Sequence, residues 1–197
     1  MGERIVVLVS GSGSNLQALL DAEPVAEQVV AVLSDRTQAG GLVRAQAAGV
    51  PTSAVAVRDH PDRASWAAAL AAAVATHAPS LVVLAGFMRV LPAAFVDRWP
   101  TMNVHPSLLP AFPGARAVES ALSWGVKLTG ATVHFVDEEV DQGPIIAQEA
   151  VEVLEGDTEA ALHARIQEVE HRLLPYAVDL FCQDRLSIDG RHVRIRP

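Results

Sequence analysis

Seven residues near the start of the chain, Arg4 to Ser10 (RIVVLVS), restrict its fold more than any other stretch. The run from Ile5 to Val9 is apolar without interruption and rich in β-branched residues, so it lacks the polar alternation of a strand with one face in water. It must be covered on both faces, as in a parallel sheet. Gly11-Ser12-Gly13-Ser14-Asn15 follows at once, and LQALL then opens a helical pattern. Strand, glycine-rich turn and helix N-terminus in that order present backbone N–H groups to an anion. A dinucleotide-binding loop needs a third glycine where this chain has Leu16, which disfavours NAD. Asp35, where such a protein would hold a ribose, then reads as a structural acid.

Strands are expected at Val29 to Ser34, Thr52 to Val57 and Leu81 to Ala85. Helices are expected at Gly41 to Ala48 and from about Arg63 to Thr76, with Asp62 as N-cap of the latter. This alternation makes the chain an α/β protein with a mostly parallel central sheet and helices on both faces. The second half predicts a helix near Pro92 to Arg98, a strand ending at His105, a helix from Arg116 to Trp124, and strands at Gly130 to Val136 and Ile145 to Val153. Thr158 begins a last long helix. Leu162, Ile166, Val169 and Leu173 mark its core face, and Gln167 and Glu170 share another. Beyond Pro175, Asp189-Gly190 lies between two alternating runs and signals a hairpin.

At 197 residues the chain has room for one core. No apolar run approaches the roughly 20 residues of a membrane span. The single cysteine, Cys182, excludes an intrachain disulfide and a multi-cysteine metal site, which fits a reducing cytoplasm. A formal charge of −8 argues against binding nucleic acid through a general basic field.

The chemistry concentrates in TMNVHPSLLPAFPG, Thr101 to Gly114, and VDQGP, Val140 to Pro144. Asn103 and His105, two apart on a strand, leave the same face. An amine attacking a carbonyl needs a donor for the developing negative charge and a group that moves a proton near pH 7, and Asn and His supply these. Asp141 is a candidate to orient the imidazole. Pro106, Pro110 and Pro113 restrict the loop after His105.

With GSGSN near the start, AGFMRVLP before the strand and DQGP after it, the chain closely resembles the glycinamide ribonucleotide (GAR) formyltransferases, folate-dependent enzymes of purine synthesis. The resemblance runs in order from about residue 4 to residue 181. It implies a Rossmann-like formyltransferase fold and transfer of a formyl group from 10-formyltetrahydrofolate to the GAR amine, with no metal and no NAD. It assigns catalysis to Asn103, His105 and Asp141. The GAR phosphate falls to Gly11, Ser12, Gly13, Ser14 and Asn15, and the amine or ribose end of GAR to Gln167 and Glu170. Folate falls to Arg63, Phe87, Met88, Arg89, Val90 and Leu91, to Asn103, and to Asp137, Glu138, Glu139, Val140 and Asp141. His134 is implied to support the site.

Under this reading residues 1–197 form a single formyltransferase domain. Its parts are a phosphate-binding half at 1–100, a catalytic and folate half at 101–185, and a tail at 186–197. The expected setting is the cytoplasm, with small-molecule substrates, no nucleic acid, no membrane, and a homodimer left open. The expected mechanism stabilises the formyl oxyanion with Asn103 and with a charged His105, whose pKa Asp141 raises. The rival readings are a 10-formyltetrahydrofolate hydrolase, a methionyl-tRNA formyltransferase and a non-catalytic Rossmann-like nucleotide-binding module. One departure is visible: AFPGARAVESAL lacks the histidine that relatives commonly carry soon after the Pro-Gly or Lys-Gly.

Overall fold

The computed structural model describes residues 2–197. The chain divides into two compact units, the first running to Met102 and the second spanning Asn103–Pro197. The first unit carries strands β1 (Ile5–Val9), β2 (Val29–Ser34), β3 (Thr52–Ala54) and β4 (Leu81–Leu84). Its helices are α1 (Ser14–Leu20), α2 (Val25–Gln28), α3 (Gly40–Ala47), α4 (Arg63–Ala75) and α5 (Ala93–Val96). The strand order β3-β2-β1-β4 is wholly parallel, with Val7 opposite Val32 on one side and Val83 on the other. All five residues of β1 are fully buried, which is why its sequence shows no alternation.

Local signals explain most of the boundaries. Asp62 caps α4 by accepting from Ser65 N at 2.7 Å. The expected strand Thr52 to Val57 stops at Ala54 and passes into a 3-10 turn, Val57–Asp59. Among the described residues its only partner is β2, which ends at Ser34 opposite Ala54, and the last bond between them is Val55 N to Ser34 O at 2.9 Å. Beyond that point no ladder remains to hold an extended backbone. The short helix α2 had no signal in the sequence pattern.

Strand β5 (Thr101–His105) closes the first unit with its first two residues and opens the second with its last three. The second unit adds α6 (Ala117–Trp124), β6 (Leu128–Phe135), β7 (Ile145–Glu152), α7 (Glu159–Cys182), β8 (Leu186–Asp189) and β9 (His192–Ile195). Its strand order is β5-β6-β7-β9-β8. The long β6–β7 pair is antiparallel, and β8–β9 is the expected hairpin around Asp189-Gly190. Thr158 caps α7, accepting from Ala161 N at 3.2 Å. The helix continues through Pro175, because Leu173, Leu174, Ala177, Val178 and Leu180 keep its apolar face buried on both sides of the proline. That burial outweighs a proline penalty of roughly 3 kcal/mol.

Candidate active site

On β5, Met102 and Val104 are buried in the core and the alternate residues Asn103 and His105 face the other way. The VDQGP loop between β6 and β7 brings Asp141 against both. Asp141 Oδ2 lies 3.3 Å from His105 Nδ1, and Oδ1 lies 3.5 Å from Asn103 Nδ2. His134, on β6, joins them: its Nε2 is 3.3 Å from Asn103 Nδ2 and 3.7 Å from Asp141 Oδ1. Its Nδ1 is 2.9 Å from the Phe135 carbonyl, which calls for a proton there and leaves Nε2 of the neutral ring to accept from the Asn103 amide. An amide nitrogen carries two N–H groups: one goes to His134 Nε2 at 3.3 Å and the other to Asp141 Oδ1 at 3.5 Å, the longer contact being the one an incoming oxygen would replace.

The loop after β5 is strapped to the sheet. Thr132 Oγ1 donates to Ser107 O at 2.6 Å and accepts from Leu109 N at 3.1 Å, while Gln148 Nε2 donates to Leu109 O at 2.8 Å. So anchored, the loop presents the Phe112 carbonyl to His105 Nε2 at 2.9 Å and the Gly114 N–H to Asp141 Oδ2 at 2.7 Å. Phe112 and Asp141 both adopt positive φ, 53° and 56°, a region that costs a non-glycine residue about 1–3 kcal/mol. Two strained residues therefore meet at one imidazole. Gly143 makes the return of the acidic loop possible, since a Cβ there would stand 1.8 Å from the Phe135 carbonyl oxygen.

His105 is only 5 % exposed. Burial lowers its pKa below the ordinary imidazole value, and this prevails over the Phe112 carbonyl and the Asp141 carboxylate, which raise it; the neighbouring His134 lowers it further. Asp141 raises the His105 pKa as expected, but burial is the larger effect and sets the direction, so the charged form invoked for the attack has to arise in the reaction rather than at rest. Both ring nitrogens nevertheless face acceptors, so either neutral tautomer leaves one lone pair against an oxygen and only the imidazolium satisfies both. For Asp141, burial pushes the pKa up, but the His134 contact, the Gly114 N–H and the positive charge that either neighbouring imidazole carries when protonated outweigh it. The carboxyl titrates below its usual range and is ionised near neutral pH.

In the first unit, the turn after β1 is braced by Arg44 Nε donating to Ser12 O at 2.9 Å. Gly11 and Ser12 are exposed, Ser14 is half-buried, and Gly13 and Asn15 are buried. Gly13 has φ 77°, and a Cβ on it would lie 2.5 Å from Gly41 Cα. Its glycine thus serves the packing of the turn on α3, whereas a Cβ on Gly11 would meet nothing within 4 Å. The segment after β4 is tied to the same region by Met88 N donating to Ser10 Oγ at 2.9 Å. Met88 and Val90 expose 63 % and 49 % of their surface, while Leu91 is buried at 7 % and Phe87 stacks on Trp66 with ring centroids 6.4 Å apart. Arg63 Nη2 donates to the Val90 carbonyl at 2.7 Å. Arg89 pairs through Nε with Asp35 Oδ2 at 2.7 Å. Asp35 is therefore a structural acid, but its partner is one of the proposed folate residues.

On α7, Glu170 is buried and Gln167 half-buried. In the acidic loop, Glu138, Glu139 and Val140 are exposed, Asp137 is half-buried, and Asp137 Oδ1 accepts from Glu139 N at 3.0 Å. The structure thus brings Asn103, His105, Asp141 and His134 into one cluster in the second unit, and the glycine turn, Arg63 and Phe87 to Leu91 belong to the first. Sequence reasoning missed the Phe112 carbonyl and the Gly114 N–H. The Pro-Gly pair at 113–114 marks a turn but not which backbone groups it aims. Among the described residues, no group of three or more His, Cys, Asp or Glu is arranged to hold a metal ion.

Residues 3–178 match the Formyl transferase family. The phosphoribosylglycinamide formyltransferase of Mycobacterium tuberculosis is 50 % identical over 192 residues, covering 95 % of this chain and 89 % of the relative. That of Escherichia coli is 42 % identical over 189 residues, covering 93 % and 89 %. The crystal structure of glycinamide ribonucleotide transformylase 1 from Symbiobacterium toebii superposes with a TM-score of 0.96 at 48 % identity, covering 100 % of this chain and 95 % of that one. A mixed α/β fold with a mostly parallel sheet flanked by helices, shared along nearly the whole length with proteins of this kind, makes the chain a member of the Formyl transferase family.

Proposed function

We propose that the protein transfers the formyl group of 10-formyltetrahydrofolate to the amine of phosphoribosylglycinamide, giving formyl-GAR and tetrahydrofolate in cytoplasmic purine synthesis, and that residues 1–197 act in it as one formyltransferase domain. The observation that carries the reading is the Asn103–His105–Asp141 cluster, backed by His134, in a chain of this family.

The amine attacks the formyl carbon, and the carbonyl oxygen becomes an oxyanion that takes the second N–H of Asn103 in place of its long 3.5 Å contact with Asp141 Oδ1. His105, neutral at rest, accepts the proton that the attacking amine sheds. The imidazolium so formed meets acceptors already in place, Phe112 O at 2.9 Å and Asp141 Oδ2 at 3.3 Å. Little reorganisation is needed at that moment. The tetrahedral intermediate then collapses: the bond to folate N10 breaks, and His105 returns the proton to that nitrogen. His134 holds the Asn103 amide in position.

Binding supplies proximity. The phosphate of GAR is assigned to Gly11, Ser12, Gly13, Ser14 and Asn15, and its ribose or amine end to Gln167 and Glu170. Folate is assigned to Arg63 and Phe87 to Leu91, with Asn103 and Asp137 to Asp141 meeting its pterin. The exposed apolar side chains of Met88 and Val90 and the fixed Val90 carbonyl support this assignment. Leu91, being buried, contributes its backbone and the packing beneath the pocket.

The test is direct. Purified protein with both substrates should release tetrahydrofolate and form one equivalent of formyl-GAR by mass spectrometry, with His105→Ala slower by at least about a hundredfold. Tetrahydrofolate release that is independent of GAR would establish a hydrolase instead. No reaction of a folded protein with either acceptor would refute the proposal.

A further inference from the structure

The hairpin β8–β9 has no part in the reaction above, and it adds little to the core. Within it only Leu186 and Val193 are half-buried; the rest is exposed, Ile188 to 54 % and Ile195 to 41 %. A two-stranded ribbon with so little apolar burial is marginal alone. Polar ties hold it instead. At its base Arg196 N donates to Arg185 O at 2.8 Å, and Arg185 Nε donates to Arg196 O at 2.7 Å. At its tip β9 pairs in parallel with β7, His192 opposite Ile145, and Arg191 Nη2 donates to the Gln142 carbonyl at 2.6 Å. The tip therefore grips the acidic loop where it enters β7, one residue past Asp141.

That placement bears on the strained residue of the site. A non-glycine residue at φ 56°, as Asp141 is, persists only where its surroundings over-determine it. Its carboxylate is held from inside the site, by Gly114 N–H at 2.7 Å and His105 Nδ1 at 3.3 Å. The backbone beyond it is held at Pro144, whose carbonyl accepts from Phe135 N at 2.9 Å, and at Gln142, whose carbonyl accepts from Arg191. The Pro144 tie comes from β6, the strand that leads into the loop. The Gln142 tie comes from a separate element, 49 residues along the chain. A guanidinium suits this task, because it stays charged at any working pH and its hydrogen bonds are charge-assisted.

We infer that Arg191 is a positioning residue for the reaction: by clamping the Gln142 carbonyl it fixes the loop so that the Asp141 carboxylate stays against the His105 ring. The inference rests on the formyl-transfer reading above and gives the C-terminal hairpin a role in it. Arg191 acts through Asp141 and not on the reacting atoms.

The experiment compares wild type with Arg191→Ala, Arg191→Lys and Arg194→Ala in single-turnover kinetics at saturating GAR and formylfolate, and follows the His105 imidazole by NMR titration. Arg194 pairs with Asp189 inside the hairpin at 2.7 Å, so its removal takes the same charge from the same element and leaves Gln142 alone. Circular dichroism and thermal melting check the fold, which should not change, because Arg191 is exposed. Arg191→Ala is expected to lose roughly tenfold in rate, the lower end for one charge-assisted hydrogen bond. Arg191→Lys, which keeps a charged donor, should recover most of this, and Arg194→Ala should match wild type.

The titration separates position from charge. Asp141 and His134 are the titratable neighbours that act on His105. Loss of a nearby cation raises an imidazole pKa, whereas retreat of the Asp141 carboxylate lowers it, so His105 should titrate lower in Arg191→Ala than in wild type. An Arg191→Ala rate within twofold of wild type, an equal loss in Arg194→Ala, a His105 pKa that rises or stays put, or a rate lost only together with the fold overturns the clamp and leaves formyl transfer intact. A wild type that transfers no formyl group overturns the formyl-transfer reading, and the titration then decides the clamp by itself.

Discussion

Replacing Asp141 by Asn removes one charge and almost no volume. The backbone tolerates the change, because Asn is among the few residues that adopt a φ near 56° readily. What is lost is the field on His105: a unit charge 3.3 Å from Nδ1 interacts with the imidazolium by about 5 kcal/mol at an effective dielectric of 20, an upper bound for so polar a cluster. Part of that is recovered because the Asn carbonyl still accepts a hydrogen bond. We therefore expect a loss of 3–4 kcal/mol in the transition state, which is about 10²–10³ in the single-turnover rate at saturating GAR and formylfolate. The imidazole pKa, already lowered by burial, should fall further by NMR titration. Once His105 is Ala, the carboxylate has no imidazolium left to stabilise, so Asp141→Asn/His105→Ala should be scarcely slower than His105→Ala alone. An Asp141→Asn enzyme within threefold of wild type, or losses that multiply in the double variant, would refute the reasoning.

Three further outcomes follow from the geometry. Gly11→Ala should raise KM for GAR with an unchanged melting temperature, because its Cβ points into open space; Gly13→Ala should destabilise the fold by about 1–3 kcal/mol in urea titration, because its Cβ meets the Gly41 backbone. Val90→Asp should raise KM for formylfolate roughly tenfold and leave KM for GAR unaffected in steady-state kinetics, since it charges an exposed apolar surface without disturbing the core. Stability should fall as pH drops below the unfolded imidazole value of about 6.5, because the unfolded chain binds the His105 proton more readily than the native one does; His105→Gln should flatten that part of a urea–pH profile, and the acid limb of kcat in the wild type should lie below the same value.

Much of this was legible in the residues. The uninterrupted apolar run of β1, the Asp62 cap and the Asp189-Gly190 hairpin are local signals, and the structure carries each of them. Asn103 and His105 were legible as a pair because a strand repeats every two residues, and Asp141 because it stands in a Gly-Pro loop. What was not legible depends on three-dimensional surroundings. The pKa of His105 is a balance in which burial prevails over the carboxylate, and spacing along the chain carries no information about burial. The Phe112 carbonyl and Gly114 N–H are backbone groups that any residue type supplies. The early end of β3 depends on where its neighbour β2 stops, and the separation of Met88 and Val90 from Leu91 depends on which side chains the core takes in.

The close approach at Gly143 also bears on how such a protein changes over generations. Position 141 is open to mutation within the limit set by its φ of 56°: Asn should alter the proposed reaction at little backbone cost, and Glu or Ala should do so with added strain. Position 143 accepts no side chain, because the Phe135 oxygen occupies the place where a Cβ would stand. The loop that carries the acid can therefore vary in what it presents to His105 but not in where it presents it. A saturation library at 141 should yield a graded series of catalysts, whereas one at 143 should return glycine alone.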